Sequence, residues 1–332
     1  MSPVLERMTR LHSRRSALGL IGGTAAASLA GCLGGDEGSD AVRISGGVGP
    51  LPMVEVWVDQ YDDRSDARFD VSGGGTGVGV SDVLNDQVDI AMMGRQPEPE
   101  EEDQGLFAVP MLIDTVVGTV SVENPVLDEL QAEGLTREDL EAVFTREVTN
   151  WGELVDADVD EEIVVYGRSD ASAAYKQWGD FLAGEGDAYT QSDLQEVADA
   201  NYNGDQPVAE AVGSDPNAIS LNNINYVYDL SSGKLEGDIR PVPLDRDGTG
   251  LSADEKFYET RGEFLGAVEA GDYPAPPARE MFLAADGGFE GPALEFVEYV
   301  LTEGQQYVRE NGYVPLEQDR LDEALDALPG GS

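Results

Sequence analysis

A chain of 332 residues with 66 acidic and 20 basic side chains, net charge −46, is too long for one minimal core. It is also too acidic for nucleic acid, whose phosphates need basic patches. Hydrophobic residues make up 41%, enough for a packed globule and unlike a fibrous or wholly disordered chain.

The only histidine is His12 and the only cysteine is Cys32. Beyond residue 32, Ser-His-Asp and Cys-His nucleophile machinery, Cys/His metal clusters and structural disulfides are therefore excluded. Lys176, Lys234 and Lys256 are the only lysines, so arginine carries nearly all the positive charge. Such a surface suits a halophilic source, because in molar salt the Debye length is roughly 3 Å and self-repulsion is screened. Solubility alone is the simpler alternative.

The chain opens with an address. Ser13-Arg14-Arg15-Ser16-Ala17-Leu18 is a twin-arginine pattern, and an apolar stretch at 18–30 follows, short for a bilayer span. Leu29-Ala30-Gly31-Cys32 has the form of a lipobox, in which the cysteine is acylated after cleavage before it. A transmembrane anchor, or a chance pattern, is the alternative. Residues 1–31 are thus expected to be a signal and 32–41 a tether; one lipid chain holds only marginally, so stable attachment implies more than one.

From residue 41 onward, short β-branched runs alternate with helical stretches. A strand is expected at 41–45, a helix at 53–61, a strand at 69–72, and a glycine loop at 73–77 leading into a helix through 84. Strands follow at 88–92 and 115–122. A second block has a helix at 136–144, opened by Thr136 three residues before an acid, then a strand at 163–166 and a helix at 173–182. A strand at 218–221 and helices at 291–302 and 304–311 complete the pattern, and residues after 319 read as a frayed helix and tail. This βαβ rhythm indicates α/β lobes with sheets flanked by helices.

Three strand-to-helix turns carry the candidate chemistry. They are Gly46-Gly47-Val48-Gly49-Pro50-Leu51, Gly73-Gly74-Gly75-Thr76-Gly77, and Gly167-Arg168-Ser169-Asp170-Ala171-Ser172-Ala173-Ala174. Where a strand hands over to a helix, unpaired backbone N–H groups and the positive end of the helix dipole face outward, and glycine lets the backbone approach a ligand. The 73–79 run lacks the GK[ST] of a P-loop and the spacing of a dinucleotide fingerprint. Arg168 offers a planar fork that cannot lose its charge; an ion pair with Asp170 is its structural alternative, and the two roles are compatible.

At these loops the chain resembles the phosphate-binding proteins of ABC phosphate transporters, in the type II periplasmic-binding-protein superfamily, over roughly residues 42–316. The resemblance lies in Ile44-Ser45-Gly46 through Pro52 and Trp57, and in Gly73–Gly79 followed by Val88-Asp89-Ile90-Ala91. It continues in Val109-Pro110 with Asp114, Phe144-Thr145 with Thr149-Asn150-Trp151, Val165-Tyr166-Gly167-Arg168, and Gly304-Gln305 with Gly312-Tyr313-Val314-Pro315-Leu316.

The resemblance implies a two-lobed fold, each lobe a mixed sheet flanked by helices, with lobe I at 42–120 plus 240–325 and lobe II at 121–239. It implies an oxyanion held in the cleft by uncharged donors and one arginine. Carried over by position, the ligand-binding residues are Gly49, Leu51, Thr76, Gly77, Gly94, Arg168, Ser172, Ala173 and Ala174. Gly49 and Leu51 contribute backbone, Thr76 and Ser172 hydroxyls. Arg168→Ala is expected to abolish tight binding and spare the fold.

This chain departs from the family at the first loop, which lacks hydroxyls, and at Gly94 and Ala173-Ala174, where the family carries Ser or Asp and Gly-Thr. No acid able to accept the proton of hydrogen phosphate is evident at the matched positions. Arg95, beside Gly94, is either a substitute or a surface or interlobe group.

Asp245 through Glu255 looks like a shortened EF-hand loop, with Asp245, Asp247 and Glu255 as weak calcium candidates; a chance acidic turn is the alternative. No cofactor is expected. An exported phosphoester hydrolase would need a base or a metal cluster, and no lysine sits in a persuasive Ser-x-x-Lys pattern. The expectation is a monomeric, non-enzymatic binding lipoprotein on the outer face of the cell membrane, held by lipid on Cys32. It would deliver inorganic phosphate to an ABC permease, or bind another oxyanion (sulfate, molybdate, tungstate), or act as a tethered anion sensor.

Overall fold

The computed structural model describes residues 41–330 apart from Asp156 and Ala171. The twin-arginine pattern, the lipobox with Cys32 and nearly all of the tether lie outside the described residues.

In chain order the strands are β1 (Ala41–Gly46), β2 (Arg68–Gly73), β3 (Ile90–Met93), β4 (Leu106–Ser121), β5 (Val164–Arg168), β6 (Ala200–Tyr202), β7 (Ala218–Asn223), β8 (Ile239–Pro241) and β9 (Ala278–Asp286). The helices are α1 (Leu51–Tyr61), α2 (Thr76–Leu84), α3 (Pro99–Asp103), α4 (Leu127–Glu133), α5 (Arg137–Phe144), α6 (Ala173–Ala183), α7 (Gln191–Val197), α8 (Asp205–Ser214), α9 (Arg261–Glu269), α10 (Gly291–Leu301) and α11 (Gln318–Ala327). The strands run in the order β2-β1-β3-β9-β4-β7-β5-β6, with β8 beside β4. β1 pairs in parallel with β2 and β3, while β9 runs antiparallel to β3 and β4.

β4 joins the two halves. Its residues from Leu106 to Thr115 pair with β9, and those from Val116 to Val120 pair with β7. The register slips between Pro110 and Leu112, where proline cannot donate to a ladder and a bulge accommodates it.

Alternation along the strands gives each half a core on both faces. In β3, Ile90 and Met92 join the core under α1, α10 and α11, while Ala91 and Met93 pack under α2 with Val80 and Val83. In β4, Val116 and Val120 meet Phe144 of α5 and Trp178 of α6. Val117 faces the other way, toward Val208 and Val212 of α8 and Phe264 of α9.

Thr136 caps α5 as its sequence indicates, in a reciprocal box with Asp139. Two expectations at the C-terminal end are corrected. The 304–311 stretch forms two short 3-10 turns rather than one helix. Beyond Asp319 the chain is no frayed tail: α11 buries Leu321 and Ala324, and Leu328 follows them into the first core. One apolar face every fourth residue is enough to dock a helix whose other face is charged.

Candidate functional site

The three loops meet. Gly46 ends β1, Gly73 ends β2 and Arg168 ends β5, so each loop leaves its strand at the same end and feeds the N-terminus of α1, α2 or α6. Gly46 accepts from the amides of Gly74 and Gly75, both at 2.8 Å, which fastens the second loop onto the first. Thr76, the first residue of α2, takes the amide of Gly94 on its Oγ1 at 3.0 Å, leaving its hydroxyl proton to donate elsewhere. Ser172 caps α6 by accepting from Tyr175 N at 3.2 Å and keeps its own proton in the same way.

These turns border a cavity of about 40 Å³ lined by Gly49, Thr76, Gly94, Arg168, Ser172, Ala173 and Ala174, with Asp170, Asp205 and Arg279 among the other walls. A water needs roughly 10–15 Å³, so the space is on the scale of one small oxyanion. Of the nine residues carried over by position, seven line it. Leu51 packs its side chain near Gly73 instead, and Gly77 is exposed and faces a neighbouring depression. Gly94 has a physical reason: a Cβ there would come within 3.2 Å of the Ala173 Cβ, so glycine lets the end of β3 approach the start of α6.

Arg168 is 3% exposed, and each of its three guanidinium nitrogens donates to a carboxylate. Nε and Nη2 donate to the two oxygens of Asp170 at 2.8 and 2.6 Å, and Nη1 donates to Asp205 at 2.6 Å. Burial works against all these charges. The two carboxylates nevertheless hold Arg168 above the usual guanidinium value. Asp170, despite burial, is held below the usual carboxylate range by Arg168 and by the amide of Gly204.

Arg95 stands apart from the cavity, in a fork-to-fork pair with Glu101 at 2.7 and 2.8 Å. Sequence reasoning missed Asp205 and Arg279. Asp205 opens α8 behind Gly204, with no capping side chain to mark the helix start in sequence. Arg279 lies near the start of β9, a strand hidden behind the prolines of 274–277.

The 245–255 loop closes on itself. Asp245 accepts from the amides of Gly248 and Gly250 at 2.9 and 2.8 Å, and Glu255 accepts from Arg246 and Ser252. Among the described residues no group of three or more His, Cys, Asp or Glu side chains is placed to hold a metal ion.

Two mixed-sheet lobes with a cleft at the strand ends define the type II periplasmic-binding-protein class of fold. A family model described as a PBP superfamily domain matches residues 34–303, and the chain belongs to that family. The phosphate-binding protein PstS of Bacillus subtilis (strain 168) is 24% identical over 286 residues, covering 85% of this chain and 83% of the relative. A phosphate-bound ABC transporter substrate-binding protein from Clostridium perfringens superimposes with a TM-score of 0.64 at 19% identity, covering 83% of this chain and 100% of that one. An ABC-type phosphate transport receptor from Vibrio cholerae gives 0.61 at 18% identity, covering 83% and 100%. Among the described residues no helix is long and apolar enough to cross a membrane.

Proposed function

We propose that this chain is an extracytoplasmic phosphate-binding protein that captures inorganic phosphate in the cavity between β1, β2 and β5 and delivers it to an ABC permease. The observation that carries the reading is the meeting of Thr76, Arg168 and Ser172, from separate turns, on one small space of oxyanion size. The helix N-termini of α2 and α6 add oriented amides, a charge-free way of holding an anion. Phosphate is the ligand named for the Bacillus relative and for the two structural neighbours.

The carboxylates favour a ligand with a proton to give. Asp170 and Asp205 share the cavity wall, and hydrogen phosphate can donate to one of them where sulfate has nothing to donate. An acid absent from the matched positions is thus supplied from α8. A chain this acidic can hold an anion because donors inside a desolvated cleft act at short range, while the distant surface charge is screened.

In this reading Cys32 carries lipid and holds the protein on the outer face of the membrane of a halophile. The lobes are 42–120 with 240–325 and 121–239, the protein works as a monomer, and it catalyses no reaction. Closure of the lobes over the anion signals occupancy to the permease.

The test is calorimetric titration of the purified protein with phosphate, sulfate, molybdate and tungstate in molar salt. Tight, saturable phosphate binding with weak sulfate binding is expected. Heat from molybdate or tungstate alone moves the protein to another oxyanion, and no heat from any of them ends the proposal.

A further inference from the structure

Two guanidiniums line the cavity, and their hydrogen-bond states differ. Arg168 has each of its three nitrogens on a carboxylate oxygen. Arg279 uses only Nη2, which donates to Asp114 Oδ2 at 2.6 Å. Its Nε and Nη1 are buried and have no hydrogen-bond partner among the described residues. A buried donor left unmade is costly, and more so on a charged group.

The pair is built to hold Arg279 in one place. Asp114 and Arg279 are opposite each other in the β4–β9 ladder. Asp114 is 1% exposed, and its other oxygen accepts from the side chain of Asn223 at the end of β7. One carboxylate therefore ties β4, β7 and β9 where β4 passes from one sheet to the other. A Cβ on Gly49 would lie 3.8 Å from both Arg279 Nη2 and Asp114 Oδ2. The pair thus stands directly behind the first loop, the loop that lacks hydroxyl ligands.

We infer that Arg279, fixed by Asp114, is a second guanidinium ligand of the bound anion and supplies the donors that the first loop does not carry. This deepens the phosphate reading and rests on it. Arg168 has a carboxylate on every nitrogen and keeps only one further N–H on each terminal nitrogen for the ligand, whereas Arg279 brings two nitrogens, Nε and Nη1, with no partner among the described residues. Each of these nitrogens can donate to an oxyanion oxygen, and a hydrogen bond from a guanidinium is stronger than one from a neutral donor.

The test compares phosphate titration of the wild type, Arg279→Lys and the double variant Asp114→Asn/Arg279→Gln, with a urea midpoint for each. The lysine keeps a charge for Asp114 but loses the fork. The double variant replaces the ion pair by neutral amides, so no buried charge is stranded. Both are expected to bind phosphate at least tenfold more weakly than the wild type while still unfolding cooperatively.

If the wild type binds phosphate and both variants bind it equally well, Arg279 only holds the strands together and the inference is overturned. A wild type that binds no phosphate overturns the functional reading and this inference with it. Should neither variant fold, a crystal structure of the wild type with phosphate decides: Arg279 nitrogens within hydrogen-bond distance of the anion are expected, and their absence from it is refutation.

Discussion

Arg168 and Asp205 stand 37 residues apart in the chain and meet at 2.6 Å, so that the end of β5 is tied to the start of α8 beside the cavity. The bond makes Asp205 both a partner of the arginine and a carboxylate facing the ligand space. An anion without a proton meets repulsion there, and an anion with one meets an acceptor.

Asp205→Asn should therefore change selectivity more than fold. The amide still accepts from Arg168 through its oxygen but no longer repels sulfate. Calorimetry with phosphate and sulfate is expected to show the phosphate-to-sulfate affinity ratio falling by about tenfold or more, the size of one charge-assisted hydrogen bond. An unchanged ratio would mean that this carboxylate plays no part in discrimination.

Arg168→Ala follows from the same geometry, and here burial revises what the sequence suggested. Removing a guanidinium that is 3% exposed strands Asp170 and Asp205 without their counter-charge. Loss of phosphate binding is expected together with a stability loss of about 3 kcal/mol or more. The triple variant with Asp170→Asn and Asp205→Asn should recover much of the urea midpoint and none of the binding. Recovery of both would show that the arginine serves the fold alone.

Gly46 tests the loop scaffold. Its φ is +134°, and a Cβ there would collide with the carbonyl oxygen of Met92, a backbone atom of β3 that cannot swing away. Gly46→Ala is expected to cost about 3 kcal/mol or more and to weaken phosphate binding, because Gly46 also holds the amides of Gly74 and Gly75. A denaturation midpoint equal to that of the wild type would contradict this.

Local signals told the most. The glycine turns, the capping box at Thr136 and the C-terminal Gly312-Tyr313-Val314-Pro315-Leu316 run were visible because each is a short pattern with a local cause. Structure adds what those motifs hold: the Tyr313 hydroxyl donates to Gly49 O at 2.7 Å, and the Trp57 indole donates to Gly304 O at 2.8 Å, linking opposite ends of the chain. β9 was not legible, since its strand pattern begins directly after a proline run and its role depends on pairing with β3 and β4, far away in sequence. Arg279 went unseen with it. No local pattern could have assigned Arg279 to the cavity, because Asp114 alone gives it a direction, and that contact spans 165 residues.

Glu255 gives the acid limb of stability a specific origin. Burial alone would raise its pKa, but hydrogen bonds from the backbone and side chains of Arg246 and Ser252 outweigh burial and bring it down from 4.5 to about 2. A carboxyl with a lower pKa folded than unfolded stabilises the protein above the unfolded value and loses that contribution as pH falls through the folded one. The contribution is therefore complete above about pH 5 and fades between about pH 4.5 and 2, amounting to no more than about 3 kcal/mol. Glu255→Gln should be less stable than the wild type at neutral pH, with the gap in urea midpoints closing as the pH approaches 2. Added calcium should leave both midpoints where they are, since the oxygens of Glu255 and Asp245 are already taken by loop amides, Ser252 and Arg246. Parallel pH curves for the two proteins would place the acid sensitivity elsewhere, and a calcium-dependent rise in the wild-type midpoint would reopen the loop as a cation site.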